Sequence, residues 1–189
     1  MILQNNIYTF IWKRWAGKTM LSSIWWSFEE YKYIFCNYEL IYKNKKVIRF
    51  KDFDLYKKID ENDLSKKLLI FDEWGINVNS RNFQSQMNKL LSFFIFISRK
   101  YNIDIIFITQ DFETLDINIR RQTDYLIQVE WWLPKYIQYS IYNIEKWFPK
   151  NIRWTYTIDA LKVLDLLNIK YDTRDLSGFD KKIKEFIKT

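Results

Sequence analysis

An α/β protein, with a parallel sheet flanked by helices and a C-terminal β-hairpin plus helices, is the expectation for this chain. Three observations support it. Runs of consecutive apolar, β-branched and aromatic residues recur at 7–11, 33–36, 68–71, 103–108 and 125–129, the pattern of strands buried on both faces. Between two of these runs, Phe83, Met87, Leu90, Phe94, Ile97 and Tyr101 alternate spacings of four and three, which is one face of a helix. Strands with helix between them, repeated, pair in parallel with helices on the sheet faces.

Ile7, Tyr8, Thr9, Phe10 and Ile11 form the first strand, and a short helix runs from Thr19 to about residue 24. The run at 33–36 is a second strand, and 47–50 a third, reached through the basic turn Lys43, Asn44, Lys45, Lys46. Asp54 is placed to cap a small helix ending near Ile59, with 57–63 as a solvated connection. Residues 68–71 are a buried strand that delivers Asp72 and Glu73 at its C-terminal tip, ahead of the five-turn helix 83–101. The strand 103–108 ends in Thr109 and Gln110, and 125–129 is one more strand. Hairpin arms at 136–144 and 153–158, a helix at 159–167 and a basic amphipathic helix at 180–188 complete the chain. With no repeat or low-complexity linker visible, the expected division is a core at 1–130 and a C-terminal extension at 131–189 packed on it.

Composition narrows the chemistry. Of 189 residues, 48% are hydrophobic, enough for a core, and 30 Lys plus Arg against 23 Asp plus Glu give a net charge of +7. Histidine is absent, which excludes Ser-His-Asp and Cys-His nucleophilic sites and every His-containing zinc site. Carboxylate, Lys, Arg, Tyr or metal-ion chemistry remains. The single cysteine, Cys36, makes no internal disulfide and suits a reducing compartment. The longest charge-free apolar run, around residues 90–98, is far short of the roughly 20 residues of a membrane-spanning helix. Lys13 and Arg14 follow the first apolar run, the reverse of a signal peptide. A cytoplasmic protein with no transmembrane segment of its own is expected.

Glycine is scarce where tryptophan is abundant. Average usage implies roughly 13 glycines in a chain of this length. There are 3, beside 9 tryptophans, and together they make 12. Trp12 and Trp15 stand in a short loop after a strand, Trp74 lies beside Gly75, the pairs Trp25-Trp26 and Trp131-Trp132 fall at apparent element ends, and Trp147 and Trp154 sit in similar surroundings. The positions point to UGA codons, read as Trp in some genetic codes and as Gly in at least one bacterial code. The other reading is a real aromatic-rich surface, in keeping with 13 Tyr and 15 Phe.

The loop after the first strand carries the chemistry. Its residues Trp12 to Thr19 fit the spacing G-x-x-x-x-G-K-[ST] except at the first position, with a buried strand before and a helix after. Gly17 lets the backbone approach phosphate, Lys18 reaches the β and γ phosphates, and the Thr19 hydroxyl ligates Mg2+. Lys13, Arg14, Trp15, Ala16, Gly17, Lys18, Thr19 and Met20 form the candidate nucleotide-binding set. A β-carbon at position 12 is costly if the turn needs positive φ, and an indole at 15 sweeps the volume meant for phosphate. With Gly at both positions the motif is complete. Asp72 would hold Mg2+ and Glu73 would orient or deprotonate the attacking water; on the dipeptide alone, a helix-capping acid is the simpler reading. Gln110 at the next strand tip is a candidate γ-phosphate sensor, or an exposed polar strand end. Arg120 or Arg121 is a candidate arginine finger toward a neighbouring subunit's nucleotide, or a surface ion-pairing residue, with Arg81 and Arg99 weaker candidates.

The phosphate loop near the N-terminus, Asp72-Glu73 after an apolar strand, and above all the run from Ser98 to Ile127 resemble the FtsK/HerA group of P-loop ATPases. Within it the chain is similar to zonular occludens toxin (Zot)-like proteins of filamentous phages and to viral DNA-packaging ATPases. The likeness covers about residues 7–130, and Tyr171, Asp172 and Thr173 resemble a segment that follows the Zot-like core. It implies a RecA-like P-loop NTPase fold, ATP and Mg2+ as cofactors, Lys18 and Thr19 at the phosphates, Asp72 and Glu73 as metal and catalytic carboxylates, Gln110 as sensor and Arg120 or Arg121 acting in trans. It also implies a ring-forming homo-oligomer that acts on DNA, with a viral capsid or membrane assembly partner, in the host cytoplasm or peripherally at a membrane assembly site. The +7 charge permits a phosphate-backbone partner; the likeness carries that expectation. Zot-like proteins usually continue into a transmembrane helix, where a basic amphipathic helix is expected here. Two other functions stay open: a non-hydrolysing assembly protein on a degenerate phosphate loop, if Trp12 and Trp15 are genuine, and, with less support, a Mg2+-dependent nuclease built on Asp72 and Glu73.

The loop can be tested directly in the encoding organism or virus by the mass of the tryptic peptide that follows Arg14. The expected peptide is Gly-Ala-Gly-Lys; a mass containing Trp at its first position means a blocked loop and favours the assembly protein.

Overall fold

The computed structural model describes residues 5–11, 17–25, 27, 31–42, 46–50, 59, 63, 65–72, 92, 94–96, 98, 100–133, 136–145 and 148–172. The expected helices at 54–59 and 180–188, the first part of the helix at 83–101, and Arg81 and Arg99 lie outside them, apart from Ile59.

One eight-stranded sheet organises the molecule. In chain order its strands are β1 (Ile7–Ile11), β2 (Tyr33–Cys36), β4 (Lys46–Arg49), β5 (Lys67–Phe71), β6 (Ile103–Ile108), β7 (Tyr125–Leu133), β8 (Tyr136–Glu145) and β9 (Phe148–Asp159). In space they run β4-β2-β5-β6-β1-β7-β8-β9. The first six are parallel, as expected from their continuous apolar runs, and β7, β8 and β9 form an antiparallel meander that extends the same sheet. β7 therefore passes through residue 130 without interruption.

Period-two alternation divides the core between the two faces. Leu68 and Ile70 of β5 face one side with Phe10, Ile106, Ile108 and helix α1 (Lys18–Trp25). Leu69 and Phe71 face the other with Ile105, Phe107, Phe94 and Ile119. Trp25, the last residue of α1, is buried, its ring 5.3 Å from Tyr8, 5.1 Å from Phe10 and 6.0 Å from Tyr139. The turn-glycine expectation does not describe this position, which is a core anchor between helix and sheet. Trp132 and Trp154 differ: the β7–β8 register shifts between Trp131 and Leu133, and the β8–β9 register shifts next to Trp154. Bulges of this kind are places where strands use glycine.

Three departures from the sequence reading have local causes. The long helix is seen at residues 92, 94–96 and 98, but Lys100, Tyr101 and Asn102 form a turn, with Asn102 at φ 55°, a left-handed conformation that ends a helix. Tyr101 is buried from that turn rather than from the helix face. A second sheet pairs β3 (Glu39–Ile41) with β10 (Lys170–Asp172), two three-residue strands whose charged residues conceal any apolar run. Helix α2 (Ile117–Gln122), not expected from the sequence, is N-capped by Asp116, which accepts from Asn118 N–H at 2.8 Å; helix α3 (Ala160–Leu166), expected at 159–167, is N-capped by Asp159, which accepts from Lys162 N–H at 3.0 Å.

The N-terminal ends of the parallel strands are fastened by a buried carboxylate. Asp104 in β6 is fully buried and accepts from the Tyr31 hydroxyl at 2.6 Å and from Asn6 N–H at 2.9 Å, with Lys66 Nζ 3.3 Å away. Burial first, then the Asp104 charge, pushes the Tyr31 phenol well above its ordinary value, so it remains a donor. Removing the carboxylate strands three donors. Asp104→Ala is expected to lower the unfolding free energy by about 3 kcal/mol in urea titration; a loss below about 1 kcal/mol, the size of a surface pair, contradicts this role.

Candidate functional site

Six parallel strands end on one edge of the sheet, and the polar residues gather there. β6 lies between β1 and β5, so its tip stands between the end of β1 and Asp72, which follows β5. The register sets the tips side by side, with Phe10 opposite Ile108 and Phe71 opposite Phe107. Ligands of open α/β sheets bind at this edge.

Gly17 ends the loop in a left-handed conformation, φ 78°, where a β-carbon is disfavoured. Its carbonyl accepts from Leu21 N–H at 2.8 Å, so the first helical turn closes directly on the loop. Lys18 opens α1 and Thr19 follows, both partly exposed, while Met20 turns into the core. Across 53 residues of sequence, Thr19 Oγ1 donates to Asp72 Oδ2 at 2.7 Å. Two residues singled out for the same ion thus meet. Lys13, Arg14, Trp15 and Ala16 of the loop, and Glu73 after Asp72, lie outside the described residues, as does Trp12.

Gln110 is exposed just past β6, and the tip beneath it is well tied. Thr109 N–H donates to the Phe10 carbonyl at 2.9 Å, and its hydroxyl lies 3.2 Å from the Asp111 carbonyl and 3.1 Å from the Thr114 hydroxyl. Arg120 and Arg121 lie elsewhere. They end α2, which leads into the start of β7, where Asp124 accepts from Ile7 N–H at 2.8 Å at the beginning of β1. They approach the sheet from the end opposite the Thr19–Asp72 pair. Arg121 is exposed and Arg120 is half-buried.

Four residues absent from the sequence reading support the pair. Ser22 and Ser23 donate to the Thr19 carbonyl at 2.9 and 2.7 Å, and the buried Tyr38 hydroxyl lies 3.3 and 3.0 Å from their oxygens. Asn37 side-chain atoms bond the Asp72 main chain. The one available signal was that Asn37 follows a predicted buried strand at the same edge as Asp72. Beside it, burial pushes the Cys36 thiol up to about 12, so this cysteine is a neutral packing residue and no nucleophile.

Residues 37–146, more than half of the chain, match the family model described as zonular occludens toxin (Zot). That range contains Asp72, Gln110 and the α2 arginines, and begins after Lys18 and Thr19. The structure is similar to the N-terminal domain of zonular occludens toxin from Neisseria meningitidis, at 17% identity over 93% of this chain and 97% of that one, TM-score 0.57. It is also similar to the genome packaging NTPase B204 of Sulfolobus turreted icosahedral virus 2 in complex with ATP-gammaS, at 14% identity over 79% of this chain and 97% of that one, TM-score 0.57. The DNA-packaging ATPase B204 of Sulfolobus turreted icosahedral virus gives 15% identity over 77% and 95%, TM-score 0.54. At these identities the likeness is one of fold, a mostly parallel sheet flanked by helices as in P-loop NTPases. No curated protein matches the chain by sequence.

Proposed function

The chain belongs to the zonular occludens toxin (Zot) family, and from that premise we propose that it is a Mg2+-dependent P-loop ATPase whose turnover drives DNA packaging, translocation or virion assembly. The observation that carries the proposal is the Thr19 Oγ1 to Asp72 Oδ2 hydrogen bond at the C-terminal strand edge, directly behind a left-handed Gly17.

Each residue has a task in this reading. Lys18 and the N–H groups at the start of α1 hold the β and γ phosphates of ATP. Thr19 and Asp72 supply one hydroxyl and one carboxylate, hard oxygens in the small number that Mg2+ takes from protein when phosphates and waters complete its shell. When bound, that ion neutralises phosphate charge; the remaining work falls to side chains. Glu73 orients or deprotonates the attacking water, Gln110 holds it or reads the γ-phosphate, and Arg120 or Arg121 reaches a neighbouring subunit's nucleotide. Their place at the end of the sheet away from the chain's own Thr19–Asp72 pair suits a role in trans within a homo-oligomeric ring. The printed titles of the B204 structures, a DNA-packaging ATPase and an NTPase bound to ATP-gammaS, support the nucleotide and the DNA partner. The ATPase core proposed at 1–130 and the extension that follows it share one sheet, since β7 crosses residue 130 and β8 and β9 continue it. Among the described residues no helix is long and apolar enough to cross a membrane.

Trp12 and Trp15, as written, favour the second reading, a non-hydrolysing assembly protein with a blocked loop. Two variants separate the two. Lys18→Ala is expected to abolish ATP binding and hydrolysis, and Glu73→Gln to retain binding while lowering turnover at least about 100-fold, measured by phosphate release. Hydrolysis at the wild-type rate by Lys18→Ala contradicts the ATPase reading.

A further inference from the structure

Two consecutive side chains at the tip of β2 grip the two halves of the site. Asn37 pairs with the main chain of Asp72 in both directions: Nδ2 donates to the Asp72 carbonyl at 3.0 Å, and Oδ1 accepts from Asp72 N–H at 2.8 Å. Tyr38, the next residue, sets its buried hydroxyl against Ser22 and Ser23, the two serines that donate to the Thr19 carbonyl. The parallel register explains the meeting, since Cys36 stands opposite Ile70 and the next residues on each strand emerge together from the sheet.

Asp72 lies just past the end of β5, where the strand ladder stops satisfying backbone groups. A side-chain amide is the chemistry suited to this place, because one planar group donates to a carbonyl and accepts from an N–H together; a hydroxyl spans at most one of the two groups and a carboxylate has no donor. The carbonyl that Asn37 holds belongs to the rigid peptide unit joining Asp72 to Glu73. Fixing that unit and the Asp72 N–H leaves the Asp72 side chain only its own torsions in meeting Thr19.

From this geometry we infer that Asn37 is a positioning residue of the nucleotide site, which sets the aim of the Asp72 carboxylate and through it the contribution of Mg2+ to nucleotide affinity. The inference rests on the ATPase reading above and adds to it a residue that touches neither nucleotide nor metal.

The test titrates a fluorescent ATP analogue into the full chain, once in EDTA and once in excess Mg2+, and records melting temperatures. For Asn37→Ala the affinity in EDTA stays near wild type while the Mg2+-dependent gain falls about tenfold, the size typical of losing a group that orients a metal ligand. Asn37→Ser, which keeps a hydroxyl able to reach one of the two peptide groups, falls between the two and serves if Asn37→Ala folds poorly. An unchanged Mg2+-dependent gain in either variant overturns the inference, as does an equal loss in EDTA and Mg2+, which marks a purely structural role. A wild-type chain that binds the analogue in neither buffer overturns the ATPase reading and this inference with it; normal wild-type binding beside an unaffected Asn37→Ala overturns the inference alone.

Discussion

The hydrogen bond from Thr19 Oγ1 to Asp72 Oδ2 sets what the rest of the structure must hold in place. A hydroxyl donating to a carboxylate at 2.7 Å is among the stronger side-chain bonds, worth about 2 kcal/mol net, and it depends steeply on distance and angle. Its two ends come from different sequence neighbourhoods, one at the first turn of α1 and the other past β5, with β6 lying between β1 and β5. The pair is held only if three parallel strands keep a fixed register and α1 keeps a fixed depth. The buried runs of β1, β5 and β6 supply the first condition, and Leu21, Ile24 and Trp25, packed against Phe10 and Tyr139, supply the second.

Polar groups then fix the two ends of the sheet in different ways. At the N-terminal end, Asp104 draws Tyr31, Asn6 and Lys66 together. At the C-terminal end the polar atoms are spread over a partly open edge: Asn37 on the main chain of Asp72, Tyr38 with Ser22 and Ser23 beneath Thr19, and Thr109 with Thr114 beneath Gln110. The β2 tip continues into β3, which pairs with β10, so the short second sheet meets the main one beside the site.

The parallel sheet was legible because its strands are buried on both faces and so appear as mainly apolar runs, interrupted in β6 by Asp104; the bounds of β1, β2 and β6 follow those runs to the residue. β3 and β10 were not legible, since three residues carrying Glu39, Lys170 or Asp172 leave no pattern to detect. The extent of β9 was also underestimated, because Pro149 and Asn151 disguise its first residues. In the site, Gly17 and Thr19 were singled out from motif spacing, and Asp72 through its pairing with that motif rather than from its own dipeptide. Asn37 was not, because its task depends on β2 lying beside β5, a fact of topology rather than of local sequence. Trp25 shows the opposite failure: composition and position suggested a turn, while the fold uses its indole to join helix to sheet.

The account turns on whether Thr19 and Asp72 act as one unit toward magnesium nucleotide. A double-mutant cycle measures this: Mg-ATP affinity of the wild type, Thr19→Ala, Asp72→Ala and the double variant, with metal-free ATP as reference. The account predicts that the two single losses overlap, with a coupling of about 1 to 2 kcal/mol in Mg2+ and close to none in EDTA. Strictly additive losses, or four proteins with the same Mg-ATP affinity, would contradict it.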